Sequence, residues 1–147
     1  MDRNAIIAEM RKWQGQYNSY NQKIAQHEKD IEKLEHMRNK LRRQFDNFMG
    51  YLQKRRNKLN RYRYLIGTSR IADRFIQGMQ SNIEGADARR ITNNLNSSIQ
   101  EVTQKINQFE NEIEDFRGKM STCANNYNYW ARQLRAYDAA AASGNQG

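Results

Sequence analysis

The sequence contains no proline, so no ring clash or missing backbone donor forces a helix to stop anywhere along its 147 residues. Cys123 is the only cysteine, which rules out a disulfide within the chain and leaves the redox compartment open. No apolar run approaches the roughly 18 residues of a membrane-spanning helix, and Met1 to Lys12 lack the apolar stretch of a cleaved secretory signal. The expectation is a soluble, cytoplasmic protein that, where it is exported, leaves without a cleaved signal peptide. Groups for chemistry are equally scarce. His27 and His36 are nine residues apart and fall on different faces of a helix, not at the three- or four-residue spacing of a metal pair. The acids between Glu110 and Asp115 read as a solvated or ion-paired face, and Cys123 as a buried, inert thiol. No glycine-rich phosphate loop and no nucleophile-and-base arrangement is present. No catalysis, cofactor, metal or small-molecule substrate is expected.

What the chain does have is helical periodicity. The first arm carries two interleaved series spaced four and three residues apart. One runs Met10, Tyr17, Ile24, Ile31, Arg38, Phe45, Leu52, Leu59; the other runs Ile6, Trp13, Tyr20, His27, Leu34, Leu41, Phe48, Arg55, Tyr62. Only His27, Arg38 and Arg55 depart from apolar or aromatic character, and His27 reads as a polar seam residue that tunes register. The second arm repeats the pattern from Leu95 through Ile99, Val102, Ile106, Phe109, Ile113, Phe116, Met120, Cys123, Tyr127, Trp130 and Leu134 to Tyr137. A period of 3.5 residues held this long marks a coiled-coil seam.

Between the arms the pattern breaks. Gly67, Gly78 and Gly85 cluster there, and Ile71, Phe75, Met79 and Ile83 recur every fourth residue, which predicts one short helix. The predicted fold is all-α: a long antiparallel two-helix hairpin, a coiled-coil rod with a short helix at the bend. The hairpin occupies 1–138, with arms at 3–64 and 88–138 and the bend at 65–87. Asp87 is expected to cap the second arm, and 139–147 to form a flexible tail. A bend centred near Ile76 places residue i opposite 152 minus i. That register sets Arg38, Lys40, Arg42 and Arg43 against Glu110, Glu112, Glu114 and Asp115.

Two surface features point to partners. A two-helix seam is too thin to cover Trp13, Tyr17, Tyr20 and Trp130, and Ile7, Met37, Met49 and Tyr51 add apolar surface on the flanks. These eight residues are the candidate surface for a further helical protein. The net charge of +9 resides on the first arm, where ten basic residues between Arg38 and Arg63 face one acid, Asp46. Near the bend, Lys54, Arg55, Arg56, Lys58, Arg61 and Arg63 are joined by Arg89 and Arg90. Such a patch can hold phosphate backbones or anionic lipid. Without a nucleic-acid-binding motif beside it, it reads first as a solvated face complementing an acidic protein.

The layout resembles the WXG/Esx-type helical hairpins of type VII secretion and is most similar to the longer YwqH-like proteins that accompany LXG toxins. The resemblance covers roughly 20–137. It rests on the stretch IEKLEHMRNKL, on a bend formed by Leu65, Ile66 and Gly67 followed by Ala72, Asp73, Arg74 and Phe75, and on the long heptad arm after it. Leu65 stands where that family usually has tryptophan; Trp13-Gln14-Gly15 lies inside the first arm and reads as coincidence. Leu134 to Asp138 matches the family's C-terminal export signal with leucine for the aromatic residue. The resemblance implies a bend motif at Leu65, Gly67 and Phe75, and an export signal at Leu134 and Asp138. It also implies a targeting partner or chaperone for the helical domain of an LXG-type toxin, with room for a second small helical adaptor. The alternatives are a basic coiled-coil protein that binds nucleic acid or anionic membrane, and a self-associating structural rod.

Overall fold

A computed structural model describes residues 1–66 and 70–145, with the side chains of 65, 66, 71, 72 and 145 outside the description. Three helices account for almost all of it: α1 at Arg3–Ile66, α2 at Arg70–Glu84 and α3 at Ala86–Asn145. The protein is an all-α helical hairpin, as the two seams predicted.

Local chemistry sets the ends. The Ala5 amide donates to Asp2 Oδ1 at 2.7 Å, so Asp2 is the N-cap of α1. Arg63 lies in the last turn of α1, where a cation complements the helix dipole. Asp87, expected to cap the second arm, instead lies within the first turn of α3, where its charge favours the helix N-terminus and pairs with Arg90 at 3.4 Å. At Gly85 the chain passes from α2 to α3 so tightly that an added Cβ would sit 2.0 Å from the Ser81 carbonyl oxygen. Only glycine fits that junction. The expected flexible tail is helical as far as Asn145, because Ala139 to Ala142 are four of the strongest helix formers in succession.

The chain divides into two units. Unit 1 combines Met1–Glu32 with Asn107–Gly147, so the start of α1 packs on the end of α3. Its buried residues are Ile6, Ile24, Ile113 and Cys123. Unit 2 is Lys33–Ile106 and contains the end of α1, all of α2 and the start of α3. There Leu52, Leu59, Ile76, Ile83 and Ala88 form a buried cluster flanked by Phe48, Met49 and Met79. Each large apolar side chain so buried stabilises by about 1.5–3 kcal/mol. Among the described residues no polar or charged residue is buried, as expected of thin helical layers that wet every outward face.

The register differs from the one expected. In unit 1, Arg3 meets Asp138, Gln16 meets Cys123 and His27 meets Glu112; their residue numbers sum to 141, 139 and 139. In unit 2, Arg38 meets Thr103, Tyr62 meets Phe75 and Arg63 meets Gln80, with sums of 141, 137 and 143. Residue i therefore lies opposite about 140 minus i, not 152 minus i. The cause is α2, which pairs with the end of α1 as part of the return arm instead of filling a bend. The face of α2 turned to the core is Ile76, Met79 and Ile83, while Phe75, expected on that face, is half exposed. Positions 38–43 fall in unit 2 and 110–115 in unit 1, and the register within each unit is not the one that would set those charges opposite each other. Arg38 instead donates to the Thr103 hydroxyl at 3.5 Å, and Glu112 bonds His27.

Candidate functional site

Unit 1 holds a cleft of about 270 Å³ between α1 and α3. Its walls are Trp13, Tyr17, Cys123, Ala124 and Tyr127, and Gln14 and Asn128 stand at its mouth. The cleft exists because two small side chains, Cys123 and Ala124, fall opposite the aromatic positions of α1. A seam built otherwise from isoleucine, phenylalanine, methionine and larger residues is hollow there. Cys123, the smallest side chain in the second-arm repeat, was the legible signal for it.

The Trp13 indole nitrogen is buried and has no hydrogen-bond partner. A buried donor left unpaired costs about 1–3 kcal/mol. Lys12 lies 5.0 Å from the centre of the same ring, and Tyr17 beside it is 38% exposed. Cys123 is 2% exposed with its thiol 3.9 Å from Gln16 Oε1, as expected of a seam thiol closed off from solvent.

Other candidate partner residues divide between the units. In unit 1, Ile7 and Trp130 are half-buried, and Trp130 meets Tyr129 edge-on at 5.1 Å. Tyr20 stacks on Phe116 at 5.8 Å between centroids, with Lys23 and Lys119 each within 6.0 Å of both rings. The hydrogen bond and charge of Asp115, 3.1 Å away, raise the Lys119 pKa above its ordinary value, so Lys119 stays protonated at neutral pH. Next along this seam, His27 is half-buried against Phe109 and Phe116, with Nε2 on the Glu112 carboxylate. In unit 2, Met37 and Tyr51 are about half exposed, whereas Met49 packs on the core cluster and offers less surface than expected.

Several basic residues of unit 2 line clefts, and Arg55 also borders a smaller one with Leu52, Met79 and Ile83. Lys54, Arg55, Lys58 and Arg61 line one of about 570 Å³ together with Tyr51 and Asn57. Arg56 and Arg89 line another of about 420 Å³ with Met49, Leu52 and Glu84 among its walls. Arg63 donates to Gln80 at 2.9 Å and Arg89 to the Glu84 carbonyl at 3.1 Å. Of the bend motif, Gly67 and the Leu65 side chain lie outside the described residues, and Phe75 meets Tyr62 edge-on at 5.7 Å. Of the export-signal pair, Leu134 is half-buried and Asp138 is paired with Arg3 at 3.1 Å.

Among the described residues no group of three or more His, Cys, Asp or Glu is placed to hold a metal, and no helix is long and apolar enough to cross a membrane. Compared with family models, curated proteins and solved structures, the chain matches none.

Proposed function

We propose that this chain is a non-enzymatic binding protein whose unit 1 cleft receives an amphipathic helix of another protein. The observation that carries the reading is the open cleft of about 270 Å³ in which the Trp13, Tyr17 and Tyr127 rings border the small Cys123 and Ala124. An incoming helix with an apolar anchor would fill the hollow over Cys123 and Ala124 and pack on the Trp13 and Tyr17 rings. Aromatic anchors with a polar handle dominate such interfaces energetically. Tyr17, 38% exposed, is the part of the cleft wall most open to an incoming helix.

The resemblance to the helical hairpins of type VII secretion names the partner to test first: the helical domain of an LXG-type toxin, with this chain as its targeting partner or chaperone. The test is retention of such a domain, encoded beside this chain, on the immobilised protein. Asn128→Trp plugs the cleft from an exposed position and should weaken retention at least tenfold while the melting temperature stays unchanged. Undiminished affinity in a folded Asn128→Trp variant would remove the cleft from the interface.

A further inference from the structure

The cations of unit 2 present a second surface that the cleft of unit 1 does not explain. Lys54, Lys58 and Arg61 lie at i, i+4 and i+7 on α1, all exposed, and span about 10 Å along the helix axis at 1.5 Å per residue. With Arg55 they line one cleft. Among the described residues, none of these four has a carboxylate within ion-pairing distance, although surface ion pairs form elsewhere at Arg3, Lys12, Arg90, Arg117 and Lys119. Of the acids in unit 2, Asp87 is paired with Arg90, and Glu84 lines the other cleft beside Arg56 and Arg89. Four like charges are thus held on one face with no internal counterion, a standing repulsion that an external anion relieves.

The lining decides the class of anion. Tyr51 is the aromatic side chain of this lining, and it holds Arg55: the guanidinium lies 5.2 Å over its ring and donates to its hydroxyl at 3.0 Å, while Phe48 stacks on the ring at 6.3 Å. An acidic helix needs an apolar stripe to bury, and a membrane-surface helix needs an apolar face to insert. This face supplies neither. An extended chain of phosphates needs only charge and donors at regular spacing.

We propose that the Lys54–Arg61 face of unit 2 binds the phosphate backbone of nucleic acid without reading base sequence. Lys54, Lys58 and Arg61 contact successive phosphates; Arg55, fixed by Tyr51, supplies a guanidinium at the cleft edge. With no groove-reading element and an engaged aromatic ring, affinity falls in the non-specific range, about 10⁻⁴ to 10⁻⁶ M at physiological salt.

The test is fluorescence anisotropy of the full chain with labelled mixed-sequence duplex DNA and single-stranded RNA across a salt titration. For duplex DNA, four phosphate contacts give a slope of log affinity against log salt near −3.6. Lys54→Gln/Lys58→Gln/Arg61→Gln should weaken binding at least tenfold and bring that slope close to −1. Lys29→Gln/Lys33→Gln/Arg132→Gln removes equal charge from other exposed positions and should change little; circular dichroism checks that both variants stay folded. Equal loss in the two variants would show diffuse net charge and overturn the assignment. So would polyglutamate displacing the nucleic acid at equal charge concentration, which marks an acidic protein segment. Binding to phosphatidylserine vesicles but not to nucleic acid would overturn it as well.

Discussion

Adding one methyl group at Gly85 should destabilise the protein, whereas adding the same group at Gly78 should stabilise it. At Gly85 the new Cβ would sit 2.0 Å from the backbone carbonyl oxygen of Ser81 and 3.1 Å from its carbonyl carbon. Close contacts between carbon and a carbonyl oxygen normally settle near 3.3–3.6 Å. The overlap therefore exceeds an ångström, and no rotamer change relieves it, because both partners are backbone. Relief requires turning the Ser81 peptide or opening the junction between α2 and α3, which shifts Ile83 and Ala88 within the unit 2 cluster. Overpacking of this kind costs about 1–3 kcal/mol. For a chain of this length each kcal/mol moves the melting temperature by about 2–4 °C. Gly85→Ala should therefore melt roughly 2–12 °C below the parent. At Gly78, inside α2, an added Cβ meets nothing within 4 Å. There alanine gains about 0.5–1 kcal/mol, a rise of roughly 1–4 °C. Thermal unfolding followed by circular dichroism reads both. A Gly85→Ala variant that melts at or above the parent would refute the tight junction, whatever Gly78→Ala does.

The register is checked by a short bismaleimide cross-linker. In a Cys123→Ser background, Arg3→Cys should couple to Asp138→Cys, both at exposed positions, whereas Gln14→Cys, the position that the 152-sum register would place opposite 138, should not; about 16 Å of helix separates positions 3 and 14. Leu52→Ala removes a 4%-exposed side chain from the unit 2 cluster and should cost about 2–5 kcal/mol in urea unfolding. Met37→Ala, at a position 51% exposed, should stay within about 0.5 kcal/mol, and parity between the two would show that the cluster is not a core. Asp138→Ala breaks the exposed Arg3 pair and should change stability by no more than about 1 kcal/mol. A larger loss would mean that this pair anchors the first turn of α1 to α3.

The seam positions were legible because burial follows the 3.5-residue period closely. Of the two series in the first arm, only Tyr17 and Arg55 prove exposed, and in the second arm only Tyr137. The aromatic cleft was legible in part: Trp13 and Tyr17 stood out as too bulky, but the hollow depends on which residues lie opposite them. Register could not be read from the repeat itself, because a heptad seam offers similar apolar faces at many offsets. It is set by where the chain turns, and the turn was misplaced by a break in phase.

That break has an identifiable cause. Buried residues in α3 step by three and four from Leu95 onward, and in α2 they step by three and four through Ile76, Met79 and Ile83. Between Ile83 and Ala88 the step is five. A five-residue step rotates a straight helix by about 140° beyond a full turn and would carry Ala88 off the core face. The Gly85 junction absorbs this rotation by departing from regular helix where the Ser81 carbonyl comes within 2.0 Å of a hypothetical Cβ. In sequence the same step looks like the end of one pattern and the start of another, so 65–87 read as a bend. In three dimensions it is one return arm with its phase reset at a single glycine. The tests at Gly85 and at positions 3 and 138 therefore probe one return arm from two directions. If Gly85→Ala proved harmless while 3 and 138 still coupled, the register would need another account than a phase reset at that glycine.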